Sequence, residues 1–165
     1  MHQEIAWPTD KCALYKLLAS QAEALSDGCP PISALSNVAS LLWEALPDIN
    51  WAGFYLLKGD MLYLGPFQGK TACVMIPVGR GVCGTAAATR QLQLVPDVEQ
   101  FPGHIACDSA SRSEIVIPLM LKDTLIGVMD IDAPISSRFD EMDAQGLSAV
   151  ADMLTTVVDW SAGLL

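Results

Sequence analysis

Residues 113–132 constrain the fold more than any other stretch. Two apolar runs, residues 115–121 and 125–132, are separated only by Lys122-Asp123-Thr124. Three polar residues make a turn and nothing longer, so the runs read as paired core strands. A sheet this apolar has to be covered, and the flanking segments carry the cover. Residues 9–26 begin with Thr9-Asp10 as N-cap and place Leu14, Leu17, Leu18, Ala22 and Leu25 at helical spacing. Gly28-Cys29-Pro30-Pro31 stops that helix. A second helix is predicted from near Ser33 through Leu35, Val38, Leu42 and Leu46 to Pro47. A C-terminal helix follows Phe139-Asp140, with Leu147, Val150, Ala151, Leu154, Val157 and Val158 on one face.

Between these the period changes. Trp51, Gly53, Tyr55 and Leu57 share one face of a strand, Ala52, Phe54 and Leu56 the other, and Lys58-Gly59-Asp60 turns the chain into a second strand at 61–64. Gly53 has two readings: a gap between aromatic walls that suits a small apolar group, or a strand glycine that lets a helix pack closely. Residues 65–70 read as a loop. A short strand is expected at 72–78, a helix of about two turns at 86–90 opened by Gly79-Arg80-Gly81-Val82-Cys83-Gly84-Thr85, and another strand at 92–95. This alternation predicts an α+β fold: a largely antiparallel sheet with helices packed on it.

Composition narrows the function classes. The formal net charge of −10 opposes binding to nucleic acid, which depends on neutralising phosphates with Lys and Arg. No apolar run approaches the roughly 18 residues of a membrane span, and the N-terminus lacks the basic start and apolar core of a signal peptide. A cytoplasmic location is the expectation, and five cysteines then read as thiols, ligands or catalysts rather than a disulfide framework. Cys12 reads as an inert helix residue and Cys29 as an exposed turn residue.

The remaining chemistry gathers in two groups. Strand alternation puts Asp130 and Asp132 on one face at the end of a buried run, where repulsion and desolvation should raise at least one pKa. Glu114 heads the neighbouring strand and adds a third acid if it converges; otherwise two acids simply end a strand in water. The thiols Cys73, Cys83 and Cys107 stand in glycine-flanked or loop contexts. Cys83, at a helix start, is the thiol that the macrodipole would activate most. No pair has the Cys-x-x-Cys spacing of structural zinc. A Cys/His/acid site with His104 and Cys107 is one option; exchange between two thiols fits better.

Taken together, Asn50-Trp51-Ala52-Gly53-Phe54-Tyr55, Gly65-Pro66-Phe67-Gln68-Gly69, Cys73, Gly79-Arg80-Gly81-Val82-Cys83-Gly84, His104-Ile105-Ala106-Cys107, Ser113-Glu114-Ile115-Val116 and Asp130-Ile131-Asp132 resemble the free methionine-R-sulfoxide reductases. The resemblance covers roughly residues 33–160. It implies one GAF domain over residues 1–165, with an N-terminal helix region at 1–32 and a core at 33–160. It also implies Cys107 as nucleophile, Cys73 as resolving thiol, and an auxiliary or alternative resolving part for Cys83. Glu114, Asp130 and Asp132 would hold the ammonium and sulfoxide of the substrate, and Trp51 and Tyr55 would enclose its methyl-sulfinyl end. The implied partners are free methionine sulfoxide, thioredoxin (fed by NADPH through thioredoxin reductase) and a second copy of the chain as a homodimer. No bound cofactor or metal is implied. A non-catalytic GAF module that senses a small ligand or thiol redox state is the rival reading, since fold alone does not fix function.

Overall fold

The computed structural model describes residues 5–103 and 110–162. Among them are four helices, α1 (Lys11–Ser26), α2 (Pro31–Ala45), α3 (Gly81–Thr89) and α4 (Glu141–Val157). Six strands complete the frame: β1 (Trp51–Lys58), β2 (Met61–Gly69), β3 (Met75–Pro77), β4 (Gln93–Val95), β5 (Ser113–Leu121) and β6 (Thr124–Ala133). The strands form one sheet in the order β3-β2-β1-β6-β5-β4, and every neighbouring pair is antiparallel. The α+β expectation holds, and the two central runs pair as the three-residue turn requires, with Lys122 taking a left-handed φ of 56°.

The two faces of the sheet have different covers. Ala52, Phe54 and Leu56 of β1, with Ile115, Ile117, Met129 and Ile131, point into a core shared with Leu18 of α1, Leu35 and Leu42 of α2 and Leu147 and Leu154 of α4. Trp51 and Tyr55 point the other way, into a smaller cluster with Val82 and Ala86 of α3. The period-two reading of β1 thus sorts its residues correctly. The thinly covered face is where a site can open.

Local sequence explains the helix ends. Asp10 caps α1 by accepting from the Ala13 amide at 2.9 Å, and Pro31 opens α2 at its first turn, where a missing N–H costs nothing. Asp140 and Asp143 form a reciprocal capping box on α4. Asp143 is buried, and it also binds α1 to α4: it accepts from Tyr15 Oη at 2.7 Å and from Lys11 Nζ at 2.6 Å. Gly146 of α4 lies flat against the Tyr15 ring, where a Cβ would come 2.1 Å from Cγ.

Three local expectations are corrected. Residues 65–70 are not a loop, because β2 continues to Gly69. The β1–β2 register jumps from Tyr55↔Leu64 to Gly53↔Phe67, so Phe54 faces two residues, and this bulge absorbs Gly65-Pro66 without losing the ladder. The strand expected at 72–78 is only Met75–Pro77. Upstream of it, Tyr55 Oη donates to the Cys73 carbonyl at 3.0 Å and Trp51 Nε1 to the Lys70 carbonyl at 3.2 Å, so side chains replace a strand partner. The helix after the glycines begins at Gly81 rather than near residue 86.

Candidate active site

Register builds the floor of the site. Asp132 of β6 stands between Trp51 of β1 and Glu114 of β5, and Asp130 stands between Gly53 and Val116 one step along. Alternation sends these side chains to the α3 face, so Glu114 converges with both aspartates. Glu114 and Asp130 are 6% and 5% exposed, a severe burial for two acids. Above them the first turn of α3 lowers Cys83 into the cluster. Its Sγ lies 3.9 Å from Glu114 Oε1, and one ligand atom each from Cys83, Glu114 and Asp130 fall within 4.8 Å of one another.

Burial decides the protonation states. Desolvation pushes Glu114 well above the usual carboxylate range, and the charges of Asp130 and Asp132 push it further. Asp130 rises to about 6, again through burial, although hydrogen bonds from Cys83, Glu114 and the Ile131 amide hold it down. Of this pair, Glu114 is the acid that burial and the charges of both aspartates drive towards its protonated form. The sequence expectation that crowding would raise at least one acid is met.

Cys83 reverses its expectation. Its helix-start position suggested an activated thiolate, but the thiol is buried and pushed well above its ordinary value, first by desolvation and then by the charges of Asp130 and Glu114. Two carboxyl groups and an apolar shell outweigh one short helix dipole. Cys83 is a neutral thiol here.

Trp51 and Tyr55 form the aromatic wall, with ring centroids 5.9 Å apart. The space over Gly53 is neither a vacant slot nor a helix contact. Phe67 of β2 fills it, since a Cβ on Gly53 would lie 2.4 Å from the Phe67 Cβ, and Phe67 stacks on Trp51 at 5.3 Å. Tyr55 ionises only well above its ordinary range, through burial and then the Asp130 charge. It is a hydrogen-bond donor, and its hydroxyl is spent on Cys73.

These groups line a cleft of about 530 Å³, counting its mouth. Thr71, Arg80 and Ser111 line it too, and the sequence reading missed all three as site residues. Arg80 had a signal, being a cation set immediately before a helix start. Ser111 had none beyond lying between Cys107 and Glu114. It accepts from Asn50 Nδ2 at 3.1 Å, which joins the start of β5 to the chain entering β1.

The thiols separate into distinct settings. Cys12, Cys29 and Cys83 are free, and Cys12 is exposed as expected, whereas Cys29 is half-buried against the core rather than exposed. Cys73 is disulfide-bonded. Cys107 and His104 lie outside the described residues.

An antiparallel sheet with three helices behind it, one in front and an acid-floored cleft beneath that one define the class, a GAF-type pocket protein. The GAF domain model matches residues 6–158, so the likeness takes in α1 as well as the stretch from residue 33. The chain is 58% identical over 127 residues to the free methionine-R-sulfoxide reductase of Escherichia coli, covering 77% of each chain. It is 49% identical over 150 residues to that of Saccharomyces cerevisiae, covering 86% of this chain and 83% of that one. The structure of free methionine-R-sulfoxide reductase from Neisseria meningitidis in complex with its substrate superposes with a TM-score of 0.88 at 45% identity, over 94% of each chain. The chain belongs to the free methionine-R-sulfoxide reductase family of GAF-domain proteins.

Proposed function

We propose that the chain reduces free L-methionine-(R)-sulfoxide to L-methionine. The carrying observation is the convergence of Glu114, Asp130 and Asp132 beside the Trp51–Tyr55 wall in one cleft. Three acids suit a ligand with an α-ammonium, and a free amino acid has one where a peptide-linked methionine does not. A buried polar site left unpaired discriminates strongly against the wrong substrate. Arg80 and the start of α3 add positive potential for the α-carboxylate on the same cleft.

In this reading the Cys107 thiolate attacks the sulfoxide sulfur while the oxygen takes a proton. Glu114 is the donor that burial keeps protonated. The oxygen passes to Cys107 as sulfenic acid and methionine leaves with the sulfur reduced by two electrons. The Cys73 thiol then displaces water from the sulfenic acid and forms a disulfide. A thioredoxin-like dithiol returns the two electrons by exchange. Support for Cys73 as the resolving thiol is that it is disulfide-bonded while Cys12, Cys29 and Cys83 are free, and that its carbonyl is held by the site residue Tyr55. Cys107 precedes Ser111 of the cleft wall by four positions in the sequence. Cys83, buried and protonated, acts as a donor to the acids rather than as a resolving thiol.

The test is thioredoxin-coupled NADPH oxidation with separated R and S epimers of free methionine sulfoxide, on wild type and Cys107→Ser. Turnover with the R epimer alone, abolished by the substitution, is expected. No turnover with either epimer would sink the enzyme reading and leave a ligand-sensing domain.

A further inference from the structure

The acid floor also carries a sulfur, and that combination suits a second kind of ligand. Cys83 comes from α3, Glu114 from β5 and Asp130 from β6, yet their ligand atoms lie within 4.8 Å of one another. Zinc takes thiolate sulfur at about 2.3 Å and carboxylate oxygen at about 2.0–2.2 Å in a tetrahedron, which sets sulfur and oxygen about 3.5 Å apart. The Cys83 Sγ–Glu114 Oε1 separation of 3.9 Å needs only a small inward movement to match.

A second observation points to a ligand at the same place. Asp130 is 5% exposed, and its Oδ1 has no hydrogen-bond partner. Asp130 also lines the cleft. A buried carboxylate oxygen left without a donor is costly, and a cation at this point satisfies it. We propose that Cys83, Glu114 and Asp130 form a site for one thiophilic divalent cation of the Zn²⁺ type, with its fourth position open to the cleft. Binding forms one metal–sulfur and two metal–oxygen bonds, and the Cys83 thiol proton and the Glu114 carboxyl proton leave to solvent; no group changes oxidation state. The sulfur selects against Mg²⁺ and Ca²⁺, which take oxygen ligands.

The consequence is competition. An ion here occupies the acids assigned above to the substrate's ammonium and sulfoxide, so metal and substrate exclude each other and zinc acts as an inhibitor. That consequence rests on the proposed function; the binding itself does not.

The site is tested by equilibrium dialysis with ZnCl₂ and by titration with Cd²⁺, whose thiolate complexes absorb in the ultraviolet. Wild type, Cys83→Ser and Asp130→Asn are compared, with circular dichroism as the check on folding. About one equivalent of metal and a thiolate–cadmium band are expected in wild type. Cys83→Ser should lose the band, and Asp130→Asn should keep it with affinity lowered at least about tenfold. No bound metal, or an equal band in Cys83→Ser, would overturn the site, as would unchanged affinity in Asp130→Asn should the serine variant fail to fold. Addition of free methionine-(R)-sulfoxide should release the cadmium. Retained cadmium in a protein that turns the sulfoxide over would overturn the overlap. An intact band in a protein with no turnover would sustain the metal site and count against the function.

Discussion

At the residue scale, neighbouring acids of one type do different things because their surroundings differ. Glu114 is buried opposite Asp132 and faces the Asp130 charge, which pushes it towards its protonated form; Asp130 is held down by hydrogen bonds from its neighbours. Glu114→Gln removes the transferable proton while keeping shape and a donor. Positioned general acids contribute about 10²–10⁴-fold, so turnover of the R epimer should fall by about that factor. Asp132→Asn should also lower it, with more of the loss in KM if Asp132 holds the ammonium. Thermal midpoints measured beside the kinetics are expected to move little. Near-normal turnover, or a loss matched by unfolding, contradicts the assignment. Cys83 shows the limit of reading a thiol from its helix position: the dipole argument is local, whereas the two acids that overrule it come from β5 and β6.

At the scale of elements, the close seat of α1 on α4 depends on Gly146. Any side chain there meets the Tyr15 ring, with a Cβ 2.1 Å from its Cγ, and that ring is fixed at its far end by Asp143. Gly146→Ala gains helix propensity of roughly 1 kcal/mol but forces the helices apart in a packed core, at a cost of about 1–3 kcal/mol. A net destabilisation, read as a lower urea midpoint with unchanged slope, is expected. A stabilised variant would show that the pair can separate freely. The element boundaries that periodicity missed share a cause. β2 ran on through Gly65-Pro66 because a bulge opposite Phe54 took up the irregular pair, and β3 was cut short because Trp51 and Tyr55 bind the carbonyls of Lys70 and Cys73. Both involve residues of β1, distant in sequence from the segments they shape.

At the scale of the whole molecule, the acid floor opposes folding at neutral pH. Asp130 titrates near 3.8 when unperturbed and at about 6 in the folded chain. The native state therefore binds more protons than the unfolded state between those values. Stability contributed by this group is present below about pH 4 and is lost as pH rises towards about 6. Asp130→Asn removes that loss. Its thermal midpoint should exceed wild type at pH 8, by a few degrees on the scale of about 2–4 °C per kcal/mol, and the gap should close near pH 4. A gap independent of pH would deny the linkage. Such a cost carried at a binding cleft is what a site built for a charged ligand shows. No helix among the described residues is long and apolar enough to cross a membrane.

Much of this was legible in the chain itself. The helices α1, α2 and α4, the faces of β1, the β5–β6 pair and the common face of Asp130 and Asp132 all follow from periods of 3.6 and 2, which near neighbours in sequence determine. The motif set around Trp51, Glu114 and Asp130-Ile131-Asp132 was enough to point to the family. Tertiary structure alone decided that Glu114 lies across from Asp132, that Phe67 fills the space over Gly53, that Arg80 and Ser111 reach the cleft, and that Cys83 is buried as a neutral thiol. Each of those depends on strand register or helix docking between segments far apart in the chain, and burial, which sets the charge of every group in the cleft, exists only once they have met.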